Sequence, residues 1–300
     1  MPKISAVAFV PEVKFEKKFK IAISLNSGIS LLPASHMHAI RLRQSIEKKG
    51  HKIKDGIFLY FNGYLREDGT IYEVFQSYCL ALTFYYEGRA TCRAYQQIYN
   101  QVYQDVEIFI DEYDKFNYDA RDAKILKKKD REKIIIFYKR ISSQLASKEF
   151  NTLNNSIEFF NLFLKEVSTK IRLLYLMICL ESMFLEESDA EGISYKLGTR
   201  CAYILTHDDK AIDKMKVYYE IKSGYELRSK IIHGGNYQKA SKKIIKGEKS
   251  EAKSELDHIQ ILERIVKRVY KIIFYSDDYY NSVIKDGLGR MIDNNLVFMS

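Results

Sequence analysis

Proline stops early in this chain. Pro2, Pro11 and Pro33 are the only three, and the 300 residues contain only 14 glycines. A proline fixes φ and removes a backbone donor, and turn-rich β sandwiches or barrels use both residues throughout their length. The scarcity excludes collagen-like and mucin-like classes and predicts a mainly helical protein. Cysteine is equally sparse. Cys79, Cys92, Cys179 and Cys201 form no CxxC pair, and three of them lie in apolar runs. That excludes a disulfide-stapled scaffold, argues against structural zinc, and reads as reduced, buried thiols of a cytoplasmic protein. Long apolar runs are also missing. The most apolar stretch, residues 173–180, is far below the roughly 20 residues that cross a bilayer, so a soluble protein with no membrane partner is expected. The short apolar run at 4–10 lacks a clear small-residue cleavage site and is not read as a leader. No P-loop, no GxGxxG after a strand, no GxSxG, no HExxH and no EF-hand loop occurs. Most familiar cofactor classes are thereby disfavoured, and no cofactor is expected.

What is present suffices for a core. Apolar residues make up 46% and charged residues 29%, outside the range of disordered chains. Basic residues number 48 against 39 acidic, for a net charge of +9, and most of the excess falls in the first half. This permits an anionic partner without demanding one.

The pattern divides the chain into 1–148 and 149–300. In the first part, 4–10 and 19–25 have strand character, separated by the charged stretch 12–18. Asn62-Gly63 between apolar flanks is a hairpin signal, and Asp68-Gly69 marks a second turn. Val74, Phe75, Tyr78, Cys79, Leu82 and Tyr86 then recur at helical spacing. A further tyrosine-rich helix is expected over 89–116. This part therefore reads as helix-dominated with a small β-hairpin or strand element. Its tyrosines (Tyr72, Tyr78, Tyr85, Tyr86, Tyr95, Tyr99, Tyr103) suit core or interface packing better than base stacking. The segment 119–133 is dense in charge and is the best boundary signal.

In the second part Asn154 or Asn155 is a candidate N-cap, followed by helix without a breaker from 157 to about 186. Its second half is apolar on nearly every face and must be covered by sister helices or a second subunit; Glu181 is its one carboxylate. A helix with Ile193, Leu197, Cys201, Ile204 and Leu205 on one face comes next. Asp208 or Asp209 is expected to cap the following helix, with Ile212, Met215, Tyr218 and Tyr219 as its apolar face and a kink at Gly224. Gly234-Gly235 ends it, residues 238–254 read as a lysine-rich connection, and a last helix spans about 255–275. The sum is a bundle of four or five helices.

Chemistry-bearing residues are few. His36 and His38 form an HxH pair, but no third ligand lies near, and cap or surface histidines are the better reading. His51, His207 and His258 read as solvated. Arg228 and His233 differ: an arginine is a permanent fork for phosphate oxygens, and a histidine moves protons near neutral pH. Five residues apart, they point roughly 140° away from each other on an ideal helix. Either the helix loosens near Gly234 or two copies of the motif meet across a dimer axis.

Three blocks extend this signal: Leu180-Glu181-Ser182-Met183-Phe184; Tyr195-Lys196-Leu197 with Arg200-Cys201-Ala202; and Tyr225-Glu226-Leu227-Arg228-Ser229-Lys230-Ile231-Ile232-His233-Gly234-Gly235. In order and spacing they resemble the HEPN superfamily, in particular its Apea-like branch, over about residues 150–280. The resemblance implies a helical bundle that dimerises and a metal-independent endoribonuclease, as found in toxin–antitoxin pairs and anti-phage defence. It implies RNA as substrate and an antitoxin or a phage-derived trigger as further partner. Arg228 would hold the scissile phosphate, His233 would transfer protons, and Ser229 would hold a phosphate oxygen or orient the histidine. Glu181 would serve catalysis or pair with Arg228 or Arg200, and Arg200 would be structural. Lys239, Lys242, Lys243 and Lys246, directly after His233, would either track the RNA backbone together with Lys230 or form a solvated loop. The same resemblance admits a member that only binds RNA or a protein, without cutting.

Overall fold

The computed structural model describes residues 3–10, 13–15, 23–26, 28–51, 57–65, 70–88, 90, 92, 94–99, 101–108, 124–147, 151–186, 189, 191–246, 252 and 254–297. They are mainly helical, as expected, and the chain divides into two compact units, Met1–Ser143 and Gln144–Ser300.

The first unit is built on a sheet. Its elements run β1 (Lys3–Val10), β2 (Val13–Phe15), β3 (Ile23–Asn26), β4 (Ile29–Leu32), α1 (Met37–Lys48), β5 (Ile57–Tyr64), α2 (Ile71–Tyr86), β6 (Ala94–Tyr99), β7 (Val102–Tyr103), β8 (Glu107–Ile108) and β9 (Lys124–Leu126), followed by α3 (Arg131–Ala146). Seven strands pair antiparallel in the order β3-β4-β5-β1-β6-β7, with β8 also on β6, while β2 and β9 form a separate parallel pair. β1 lies between β5 and β6 and is apolar from Ala6 to Val10 because both of its faces are covered. Ala6, Ala8 and Val10 pack with Phe75, Tyr78 and Leu82 of α2, and Val7 and Phe9 pack with Ala39, Leu42 and Ile46 of α1.

Two readings of this region are corrected. Asn62-Gly63 makes no hairpin: both residues stay extended inside β5, opposite Ser5 and Ile4 of β1. The turn is at Gly28, whose φ of 110° suits glycine and whose carbonyl accepts the Asn62 N–H at 2.7 Å. The helix expected over 89–116 is replaced, in its described part, by β6, β7 and β8. Tyr95, Tyr99 and Tyr103 imitate a helical stripe, yet Ala94 belongs to the α1 side of the sheet and Tyr95 to the α2 side. That alternation has the period of a strand. Asp68-Gly69 and residues 16–22 lie outside the described residues.

The second unit has eight helices among its described residues, more than the four or five expected: α4 (Thr152–Lys165), α5 (Thr169–Phe184), α6 (Ile193–Asp208), α7 (Lys214–Ile232), α8 (Tyr237–Lys246), α9 (Glu255–Tyr275), α10 (Asp277–Asp286) and α11 (Leu288–Val297). The unbroken helix expected from 157 is two helices. Glu166 leaves the helical region, and its Oε1 accepts the N–H groups of Val167 (2.9 Å) and Ser168 (2.7 Å). The caps also differ. Asn151, one turn earlier than expected, accepts the Asn154 N–H, and Asp213 rather than Asp208 or Asp209 caps α7. Met215 is exposed, and α7 instead buries Val217, Ile221, Gly224 and Leu227.

α5 is the centre of the bundle. It packs against α4, α6, α7, α9 and α11, which cover most of its apolar surface within one chain; Leu174, Tyr175 and Ile178 stay half-buried and Ile171 is exposed. α7 runs unbroken through Gly224 because the missing side chain is needed for packing, not for a kink. A Cβ there would stand 2.8 Å from Met177 Sδ of α5 and 3.1 Å from Leu262 of α9. All four cysteines are buried and none is in a disulfide.

Candidate functional site

The site is read from the last turns of α7. His233 is the C-cap residue, its N–H donating to Ser229 O at 3.0 Å. Gly234 follows with φ 65°, and the Gly235 N–H donates back to Lys230 O at 2.8 Å. This 6→1 bond belongs to a Schellman ending, which needs a left-handed residue such as glycine after the cap. The helix is therefore regular up to the histidine, and Arg228 and His233 leave it roughly 140° apart. Of the two geometries open from the spacing, the loosened helix is absent.

Arg228 turns inward. Its Nη2 donates to Glu181 Oε2 of α5 at 3.1 Å, and its guanidinium carbon lies 5.7 Å from the centre of the Tyr225 ring. Glu181 pairs with Arg228 and not with Arg200. Burial pushes the Glu181 carboxyl above its ordinary value, and the charge and hydrogen bond of Arg228 pull it back. Glu181 Oε1 and Arg228 Nε are both buried without a hydrogen-bond partner, so each group keeps unused bonding capacity beside the ion pair. Ser229 is half-buried, whereas Lys230 and His233 are exposed. The structure thus brings Arg228 and Glu181 together and leaves His233 on another side of the helix end, facing solvent.

Beyond Gly235 the expected lysine-rich connection is largely α8. Asn236 Oδ1 accepts the Lys239 N–H at 2.9 Å and starts the helix. Tyr237, Ala240 and Ser241 are buried, while Lys239, Lys242 and Lys243 are exposed. Their i, i+3, i+4 spacing puts all three on one face. An open depression of about 440 Å³ lies near Arg228, lined by Gly192, Ile193, Ser194, Tyr195 and Tyr225. Tyr195 is 64% exposed, and Tyr225 links the depression to the arginine. Both tyrosines lie in the three sequence blocks, without an expected role. No signal in the sequence singles them out, because the exposure of Tyr195 and the half-burial of Tyr225 are set by the fold.

Arg200 is built into the fold. It bonds Asp189, Asp293 and the carbonyl of Phe184 at the end of α5. Burial opposes ionisation of Asp189, but the hydrogen bonds from Arg200, Lys196 and the Glu186 N–H overcome it and hold its carboxyl well below the usual carboxylate range.

The other histidines divide. His36 caps α1, its Nδ1 accepting the His38 N–H, and His38 Nδ1 lies 2.7 Å from the Tyr103 hydroxyl. His207 is exposed, with Tyr279 at 3.2 Å. His258, expected in solvent, is only 1% exposed; its Nε2 lies 3.3 Å from Glu220 Oε2. Its position in the first turn of α9 reads as a helix end, but that end is packed against α7. Among the described residues no group of three or more His, Cys, Asp or Glu is arranged to hold a metal, and no helix is long and apolar enough to cross a membrane.

Comparison of the chain with family models, with curated proteins and with solved structures finds no match.

Proposed function

We propose that the second unit is a HEPN-type bundle acting as a metal-independent endoribonuclease, a toxin or anti-phage effector whose partner is RNA. One observation supports this most directly. The Arg228–His233 segment ends α7 with its arginine anchored by Glu181, its histidine free in solvent, and an exposed lysine face on the next helix. In the proposed reaction the 2′-oxygen attacks the adjacent phosphorus. The new 2′-O–P bond forms as the P–O5′ bond breaks, and the 2′-proton leaves to a base while the 5′-oxygen gains one from an acid. His233 supplies one of these proton transfers, and Arg228 balances the charge on the phosphoryl oxygens. The products are a 2′,3′-cyclic phosphate and a 5′-OH, so DNA is not a substrate. Because Arg228 and His233 diverge on one helix, the site is completed by a second copy.

The same divergence, with Arg228 already engaged by Glu181, favours a second reading: a bundle that binds RNA or a protein through α7 and α8 and does not cut. Incubating RNA with wild type and with His233→Ala in excess EDTA, followed by end-group analysis, separates the two. Cleavage by wild type alone, leaving cyclic phosphate, is the expected result. Equal behaviour of both proteins supports the binding module.

A further inference from the structure

The first unit carries a second cluster, unrelated to the one on α7. Arg41, Gln44, Ser45 and Lys48 line up along one face of α1 and, with Tyr103 of β7, border a depression of about 160 Å³. The spacing i, i+3, i+4, i+7 is that of a single helical stripe. No carboxylate lines the depression, and neither Arg41 nor Lys48 has an acidic partner among the described residues.

Its groups are held from behind. The Arg41 guanidinium carbon lies 4.9 Å from the centre of the Tyr103 ring, a cation–π distance. Tyr103 is fixed in turn through its hydroxyl, 2.7 Å from His38 Nδ1, and His38 stacks on Tyr60 with ring centres 4.8 Å apart and planes 11° from parallel. Burial, then the charges of His36 and Arg41, keep the His38 imidazole below its ordinary value. Ser45 is held similarly. The buried Gln96 amide donates from Nε2 to Ser45 Oγ at 3.2 Å and to Gln104 O at 2.7 Å. With its oxygen accepting from Gln96, the serine hydroxyl has its proton free to donate into the depression.

We propose that this depression binds the phosphate group of a small phosphomonoester. An arginine fork, an ammonium and an oriented hydroxyl are the donors such a group requires. Two cations match its charge of about −1.5 to −2 at neutral pH, whereas one backbone phosphodiester carries a single charge. The space is below the roughly 300 Å³ at which pockets begin to enclose drug-sized ligands, so the phosphoryl head is held and the remainder of the molecule stays outside. The ribonuclease reading of the second unit plays no part in this inference.

Isothermal titration of the full chain, at constant ionic strength set by chloride, tests it with four probes: inorganic phosphate, adenosine 5′-monophosphate, adenosine, and an RNA oligomer with hydroxyl ends. Saturable binding of phosphate and of the monophosphate, one per chain, with none of adenosine, is expected. Arg41→Gln weakens it about tenfold and Ser45→Ala several-fold, while His233→Ala binds phosphate as wild type does. The exposed Lys48→Gln variant, expected to weaken binding as well, covers the case of a poorly folded Arg41 variant. No saturable phosphate binding by wild type overturns the proposal, as does undiminished binding by both Arg41→Gln and Lys48→Gln. Displacement of phosphate by the hydroxyl-ended oligomer as readily as by the monophosphate overturns the choice of a monoester.

Discussion

Arg200 shows how much one residue holds in the second unit. Its guanidinium joins α6 to the end of α5 through Phe184 O, to the following loop through Asp189, and to α11 through Asp293. Removing one partner of a buried ion pair leaves an uncompensated charge, and Arg200→Met is expected to lower unfolding free energy by about 3–5 kcal/mol, read from urea midpoints. The pH dependence follows from Asp189. Its carboxyl is held below the usual range when folded, so the unfolded chain takes up the proton first as pH falls. The stabilisation is complete above the ordinary aspartate value of about 4 and is lost as pH drops towards the folded value. The gap between wild type and Arg200→Met should therefore narrow in acid. The thiols make a separate case. Burial pushes Cys179 up to about 12, against the hydrogen bonds of Ser156 and Tyr270 that pull it down, and the other three are also buried. Since the thiolate is the reactive form, a thiol reagent should label none of the four in native protein and all four after denaturation.

At the scale of elements, close approach decides what a helix tolerates. α11 meets the end of α5 at Gly289, where a Cβ would collide with the Phe184 carbonyl oxygen and stand 2.9 Å from Arg200 Nη1. Neither a backbone carbonyl nor an arginine fixed by two carboxylates can yield cheaply. Gly289→Ala should destabilise by about 1–3 kcal/mol, although alanine at a free helical position stabilises by about 1 kcal/mol relative to glycine. A lower melting temperature checks the sign. The boundary between α4 and α5 teaches the complementary lesson. The segment from Glu166 to Ser168 contains neither glycine nor proline, so no punctuation marks it. The break is sustained by the Glu166 carboxylate, which takes up two N–H groups that a continuous helix would have bonded internally. The bounds of α9, in contrast, were legible. Ser254 accepts the Asp257 N–H at 3.0 Å and caps it, and Ile259, Leu262, Val266 and Val269 face the core.

At the scale of the molecule, the proposed ribonuclease depends on two copies. Because α7 remains regular to its cap, Arg228 of one chain and His233 of its partner would form a composite site. Arg228→Ala and His233→Ala chains, each inactive alone, should then recover part of the wild-type activity when mixed and allowed to exchange. Persistent inactivity of the mixture would place both residues of a site in the same chain. Five helices of its own chain cover most of α5, and only the stripe of Ile171, Leu174, Tyr175 and Ile178 is left exposed or half-buried. Local chemistry by itself determined the helical character of the second unit, its terminating glycines, the buried cysteines and the block carrying Arg228 and His233, because caps, helical period and glycine endings act over a few residues. The sheet of the first unit was only partly readable. β6 is a strand because β1 lies beside it to pair with, and Asn62-Gly63 remains extended because β1 and Gly28 hold it. His258 is buried because the first turn of α9 packs on α7, and the cluster on α1 exists because β7 brings Tyr103 to Arg41 across some sixty residues of chain. Such placements depend on partners distant in the chain, whose positions only the tertiary fold decides.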